Sequence, residues 1–413
     1  MKTVILRLSG FVGFPLLGIL TPLLLLPVIA RIAGPSGWAS IVSALAIGSF
    51  GATAIVWGWN IRGTVLVASS VSSDRRSTLY GQSLVTRGLL SLAVLPIVTF
   101  LSAALAVPDR RWDAAAVAGA TAIAGLSPAW FCVGIGSPRL MGIFDALPRV
   151  VSAVVAIPLI AASGVIAIYP ALLVVLTSVA LVAFRFAYFP RNVRIRPSLS
   201  DSLQELRRQI GAAGVNISGS AYSSVPVPIA TIRGPAAIAS AYSSADQLYR
   251  FGLFTTIALG NTFQGWTLEE RTGDQIRRHA AAFISHLVLG VIGAVLITAL
   301  GPLVSSILFG ELVAATTTTC LLYGFAFLFI NLGTPLIRNL LIPAGKDVFV
   351  LLATVAAAAV GTTLMILLSS AGSLTGIAAG VAASELVLLL IVTPAALRAA
   401  RALTPVEAST RQD

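Results

Sequence analysis

The sequence predicts an all-α polytopic membrane protein, with about twelve transmembrane helices in two six-helix lobes related by a parallel repeat around a central cavity. Three observations predict it. Of 413 residues, 57% are hydrophobic and only 10% charged, against about a quarter charged in a soluble domain, and the mean hydropathy is +0.95. Apolar runs of span length follow one another along the whole chain. If each span takes about 22 residues, twelve use about 264 and leave about 149 for all loops and tails, so no soluble domain fits.

The first run, 11–33, follows Lys2 and Arg7. It exceeds the apolar core of a secretion signal, about 7–15 residues, and reads as an uncleaved first helix. The others fall near 38–58, 84–106, 114–134, 148–168, 170–189, 211–230, 239–262, 280–301, 313–334, 348–370 and 374–396. Pro15, Pro22 and Pro27 in the first span and Pro226 and Pro228 in the seventh should bend those helices, because proline removes a backbone donor and crowds the preceding turn. Trp38, Trp112 and Trp266 fall near span ends, where aromatic belts form. Cys132 and Cys320 lie in apolar runs and read as small packed hydrophobes. His279 and His286 lack the Cys, Asp or Glu neighbours of a metal site, so neither metal nor cofactor is expected.

The chain carries 27 basic against 15 acidic residues, a net charge of +12. In a soluble protein this would suggest nucleic acid; in a polytopic one it sets orientation. With the amino terminus inside, most arginines fall on the cytoplasmic side and only Arg31, Arg110, Arg111 and Arg233 on the other, so both termini are expected in the cytoplasm and nucleic acid is not expected as a partner. The longest polar stretch, Pro190 to Gln209, holds Arg191, Arg194, Arg196, Arg207 and Arg208 around a helical start capped at Ser200. It reads as an amphipathic surface linker that meets anionic lipid head groups. The expected organisation is an amino-terminal lobe over 1–189, a basic linker over 190–210, a carboxy-terminal lobe over 211–398 and a tail over 399–413. Sliding the second span onto the eighth matches Ser43, Ala44, Gly51 and Asn60 with Ser244, Ala245, Gly252 and Asn261, each 201 positions later, and Gly34-Pro35 resembles Gly234-Pro235.

No phosphate-binding Gly-Lys-Ser/Thr loop, Gly-x-Ser-x-Gly elbow or close carboxylate pair occurs in a span, so catalysis is not expected. What remains is a set of polar residues that are costly in a bilayer and tend to face a bundle interior or a water-filled cavity. No Asp or Glu precedes Asp74, while the first two spans or their edges carry Arg31, Asn60 and Arg62. A cavity they line would be positive and would attract phosphate-like anions; the alternative for Arg31 and Arg62 is to snorkel to lipid phosphates. Arg87 enters the third span and either points inward or reaches back to the interface. Asp145 with Arg149, and Asp246 with Arg250, are spaced four apart, which puts each pair on one helical face as a structural ion pair or as part of a gate. Glu385 lies mid-span with no basic residue within a turn, a candidate for ion or proton coupling or for a helix-joining hydrogen bond.

Several segments resemble the polysaccharide-biosynthesis flippases. The run from Pro27 through Arg31 and Gly34-Pro35 to Gly37-Trp38 resembles the end of their first helix, and Ser127-Pro128-Ala129-Trp130-Phe131 with Gly134 resembles their fourth span, with Pro148-Arg149 following as in that family. Ala241-Tyr242-Ser243-Ser244-Ala245-Asp246 looks like their Tyr-Ser-x-Ala-acid segment, and Gly260-Asn261 through Gln264-Gly265-Trp266 and the glycine-rich last span with Glu385 also fit. That family belongs to a superfamily which also holds multidrug antiporters and peptidoglycan-precursor flippases, all built from two six-helix lobes.

The resemblance implies a multi-pass protein of the bacterial cytoplasmic membrane that moves an isoprenoid pyrophosphate-linked oligosaccharide outward by alternating access. On that reading Arg31, Arg62, Arg87, Arg149 and Arg250, with Asn60 and Asn261, bind the head group. Tyr80 and Tyr242 contact sugars, and Asp145, Asp246 and Glu385 serve gating or coupling. Membrane lipids and the polymerase and glycosyltransferases of the same assembly process are the partners it suggests. The alternatives are a drug or cation antiporter, which should need carboxylates in its amino-terminal lobe, and a peptidoglycan-precursor lipid flippase.

Overall fold

The computed structural model describes residues 2–70, 72–189, 198–268, 275–369 and 373–401. The segments around Arg191, Arg194, Arg196, Arg271 and Arg411, and the side chain of Trp266, lie outside the described residues. Helix follows helix throughout, and the described residues contain no β-strand. The helices are α1 (Lys2–Val56), α2 (Thr64–Ala68), α3 (Ser73–Leu105), α4 (Arg111–Ile123), α5 (Ala129–Gly134), α6 (Pro138–Met141), α7 (Leu147–Ser163) and α8 (Ile168–Tyr188). They continue as α9 (Leu199–Arg208), α10 (Ile210–Ser224), α11 (Pro226–Arg233), α12 (Ala236–Leu268), α13 (Gln275–Phe309), α14 (Thr317–Pro335), α15 (Asp347–Leu368) and α16 (Thr375–Arg401). Among the described residues, 9 helical segments are long and apolar enough to cross a membrane. The chain is a multi-pass membrane protein.

The expected spans reappear in order, some broken or joined by local chemistry. The first two run on as α1, separated only where Gly34 leaves helical geometry at φ 68° and ψ 179°. That region is open to glycine and costly for residues with a Cβ. The non-helical dihedrals thus sit at Gly34 and at none of Pro15, Pro22 and Pro27. In the seventh span the break does fall at proline: α10 ends at Ser224 and α11 opens with Pro226. The fourth span breaks at 124–128, where Ser127 is extended (ψ 144°) and Pro128 cannot donate to the helix. Three π-helical turns, Trp59–Gly63, Gly142–Ala146 and Leu336–Leu341, interrupt the remaining regularity. Such turns free backbone groups and recur at functional positions.

By packing the chain divides into two compact units, 1–244 with 305–314 and 245–304 with 315–413. In the first, α1 packs on α3, α4 and α7, and α7 on α8. In the second, α16 packs on α14 and α15, where Gly361 and Gly380 let two backbones approach: a Cβ on Gly361 would stand 2.5 Å from that of Ser384 and 2.9 Å from the Gly380 carbonyl oxygen. Small residues at such crossings are how membrane helices gain contact without a hydrophobic driving force. Cys132 and Cys320 are both buried, Cys132 within an aromatic core of Trp59, Tyr80, Trp130, Phe131, Phe184 and Phe189.

Candidate functional site

In the first unit the polar residues gather where the second span ends. Trp57 has a left-handed backbone (φ 58°), the only non-glycine residue with positive φ among those described, and such a conformation persists in a bulky residue only when its surroundings hold it. Its carbonyl accepts from Asn216 Nδ2 at 3.1 Å, and its indole N–H donates to the Leu206 carbonyl at 3.0 Å. The π-turn that follows presents Asn60 and Arg62. Asn60 and Asn216 pair reciprocally, each amide donating to the other's oxygen at 3.1 and 3.2 Å. Arg62 Nε lies 3.3 Å from Glu205 Oε1, with the arginine side chain 43% exposed and the glutamate 8%.

A second network joins the third, fourth and fifth spans. Arg87 is wholly buried, and its guanidinium donates to the carbonyls of Gly125 (3.1 Å), Ser127 (2.8 Å) and Ser83 (3.2 Å) and to Ser83 Oγ (3.1 Å). It thereby satisfies carbonyls that the break at 124–128 leaves without helical partners. Ser127 Oγ donates to Asp145 Oδ1 at 2.6 Å, and Arg149 Nη2 reaches the same oxygen at 2.6 Å. The four-residue spacing therefore does form an ion pair, half-exposed on its Arg149 side.

Arg31 is exposed and donates to the Ile307 carbonyl at 2.8 Å, near the end of α13. Close to it, Ser240 Oγ donates to the Pro35 carbonyl and accepts from the Ala39 N–H at 3.1 Å, and Trp38 Nε1 donates to Ser244 Oγ at 3.0 Å. Ala39 and Ser240 are 201 residues apart, so positions that the repeat offset makes equivalent meet directly.

In the second unit Asp246 is buried, accepting from Arg250 Nε at 2.5 Å on one oxygen and from the Tyr323 hydroxyl at 3.0 Å on the other. Asn261, the repeat equivalent of Asn60, accepts from Arg338 Nη2 at 2.8 Å. His286 lies 3.4 Å from Asn331. Glu385 is buried in α16 next to Ser384, whose hydroxyl donates to the Ala357 carbonyl.

Set against the expectations, Asn60 and Arg62 come together, as do Asp145 with Arg149 and Asp246 with Arg250. Three others, Arg87, Tyr80 and Tyr242, are buried. Arg87 points inward, but its donors are consumed by protein oxygens and it presents no surface to a ligand in this conformation. Tyr80 is fully buried against Phe131, Phe184 and Phe189 and offers no face to a sugar; Tyr242 is buried too. The helix of the linker is capped at Ser198, which accepts from the Asp201 N–H, two residues before the expected Ser200. Sequence reading missed Asn216, Glu205 and Tyr323, whose partners lie 156, 143 and 77 residues away.

Comparison with known proteins follows the architecture. No protein-family profile matches the chain, and no curated protein matches it. The fold is similar to that of lipid II flippase MurJ in an inward closed conformation, with a TM-score of 0.71 at 11% identity over 95% of this chain and 87% of that one. It is also similar to an inward-facing multidrug resistance MATE family transporter of the MOP superfamily (TM-score 0.57, 14% identity, 97% and 100% covered) and to a eukaryotic MATE transporter (0.52, 15%, 96% and 97%). These similarities establish a polytopic fold of the MATE and MurJ kind.

Proposed function

We propose that the protein is a flippase that carries an isoprenoid pyrophosphate-linked oligosaccharide outward across the bacterial cytoplasmic membrane by alternating access. One observation carries this reading. The first two spans bring Arg31, Asn60 and Arg62 to exposed positions with no acid before Asp74, and the carboxylates of Glu205, Asp145 and Asp246 are each held by an arginine, Glu205 by Arg62 itself. A lining of this kind favours a phosphate-bearing head group, since guanidinium offers paired donors to phosphate oxygens. It offers little to an organic cation, which needs a carboxylate to receive it. Arg31 then binds the pyrophosphate, with Arg62 and Arg149 exchanging their carboxylates for phosphate oxygens, Asn60 contacts the saccharide, and Glu385 supplies coupling. The fold likeness to a lipid II flippase supports a lipid-linked cargo and brings peptidoglycan precursor in as the second reading, because it shares the same isoprenoid pyrophosphate chemistry.

The test is a leaflet assay. Purified protein in liposomes receives a fluorescent isoprenoid pyrophosphate-linked oligosaccharide, a labelled peptidoglycan precursor lipid or a fluorescent cationic drug. Movement of the oligosaccharide lipid with no movement of the drug is expected. Movement of the drug alone overturns the reading in favour of an antiporter, and movement of the precursor lipid alone transfers it to the second reading.

A further inference from the structure

The linker helix α9 exposes large apolar side chains beside charged ones. Ser202, Glu205 and Gln209, spaced three and four apart, are buried, while Leu199 is 57% exposed, Leu203 41% and Ile210, the first residue of α10, 58%. Ser200, Asp201, Gln204, Arg207 and Arg208 are exposed as well, so the outer side mixes three apolar side chains, which water does not favour, with polar and basic ones. The buried side is occupied chemically, since Glu205 receives Arg62, Gln209 Nε2 at 3.2 Å and, more loosely, Arg208 at 3.8 Å. The outer side therefore needs an apolar layer within reach of charge. Leu199, Leu203 and Ile210 share one helical stripe, and Arg207 and Arg208 next to them are exposed.

Gln209 N–H donates to the Glu205 carbonyl, so α9 passes with almost no break into α10. It begins at Leu199, and α8, a membrane-length helix, ends at Tyr188, so chain length alone keeps the start of α9 within about 40 Å of the end of that span. Leucines entering the acyl boundary with arginines beside them among phosphates is the arrangement by which interfacial helices bind anionic bilayers.

The same helix holds the strained end of the second span: Leu206 accepts from the Trp57 indole and Glu205 takes Arg62. We propose that the outer face of α9 is a docking surface for anionic membrane lipids, and that lipid docked there holds Glu205 and Leu206 against the left-handed Trp57 and the π-turn at 59–63. Anionic lipid acts through this helix as a brake on the second span. The inference is independent of what cargo the protein moves.

The test uses the full-length protein reconstituted in phosphatidylcholine vesicles with or without phosphatidylglycerol. Cys132 and Cys320 are buried, so a bimane label goes to the new thiol of Leu203→Cys or, about 160° around the helix at an exposed position, Asp201→Cys. Nitroxide lipids should quench the label at 203 at least twofold more strongly when phosphatidylglycerol is present and change the label at 201 less. Arg207→Gln with Arg208→Gln should remove the difference. In the same vesicles the backbone amides of 57–63 should exchange hydrogen more slowly with anionic lipid present, and Glu205→Gln should abolish that slowing. Equal quenching in both lipids overturns the docking surface. Lipid-dependent quenching with unchanged exchange at 57–63 overturns the brake.

Discussion

Asn60 and Asn216 exchange side-chain hydrogen bonds across 156 residues of sequence, at 3.1 and 3.2 Å. An amide pair of this kind satisfies one donor and one acceptor on each side. The second donor of Asn216 is spent on the Trp57 carbonyl, so one side chain of α10 fixes both the strained residue and the exposed residue of the neighbouring span.

Replacing Asn216 with Ala should therefore affect movement more than folding. Asn60 is exposed, and water can take the place of its lost partner, which limits the stability cost to about 1 kcal/mol. Transport should fall about tenfold, equivalent to about 1.4 kcal/mol in the rate-limiting barrier, with insertion and melting temperature nearly unchanged. A flip rate equal to that of the parent would separate the pair from function.

Arg87 and Arg149 should behave in opposite ways. Arg87→Met leaves the buried carbonyls at Gly125 and Ser127 without donors, and each unmet group costs about 1–3 kcal/mol, so a large drop in thermal stability in detergent is expected. Arg149→Ala leaves Asp145 its bond from Ser127, and the pair is partly exposed; folding should survive while transport of an anionic lipid drops. A stable Arg87→Met protein that fails only in transport would return Arg87 to the ligand site.

These contrasts show which parts of the molecule could be read in one dimension. Span positions were legible because hydropathy is a local sum, and the ion pairs at Asp145 and Asp246 because four-residue spacing fixes a shared helical face. The buried state of Arg87 was legible only in part: cost in a bilayer says that an arginine needs partners, not that those partners are carbonyls released by a break 38 residues away. The π-turns and the burial of Ser202, Glu205 and Gln209 in α9 leave no such trace, because a helix pattern is the same whichever stripe its neighbours cover.

Gly34→Ala isolates a backbone effect. No heavy atom lies within 4 Å of where its Cβ would stand, so no packing clash arises. The cost is that of holding alanine at φ 68°, about 1–2 kcal/mol. Unfolding of the purified protein should register a loss of that size, and Gly34→Asn should lose at least as much, because asparagine's tolerance is for the left-handed helical region at ψ of about 47° and not for ψ 179°. Equal stability of Ala and Gly at this position would mean that the boundary between the first two spans relaxes into continuous helix.

The Asp246 carboxylate is held from two helices, by Arg250 of α12 and by the Tyr323 hydroxyl of α14. The two contacts differ in what they resist. Arg250 is on the same helix and moves with Asp246, so its bond to this carboxylate neutralises the charge without crossing to another helix. Tyr323 is fully buried, with its ring 4.9 Å from that of Tyr249, and its hydroxyl is the link between helices. Tyr323→Phe should cost about 1–2 kcal/mol, since it leaves a buried carboxylate oxygen short of a donor. In the Asp246→Asn background, where the acceptor carries no charge, the same substitution should cost less, and the double-mutant cycle should return a coupling of about 1 kcal/mol. Chemical denaturation of the four proteins in one detergent measures it. A coupling of zero would mean that the hydroxyl serves packing in α14 and that this hydrogen bond does not help to hold α12 to α14.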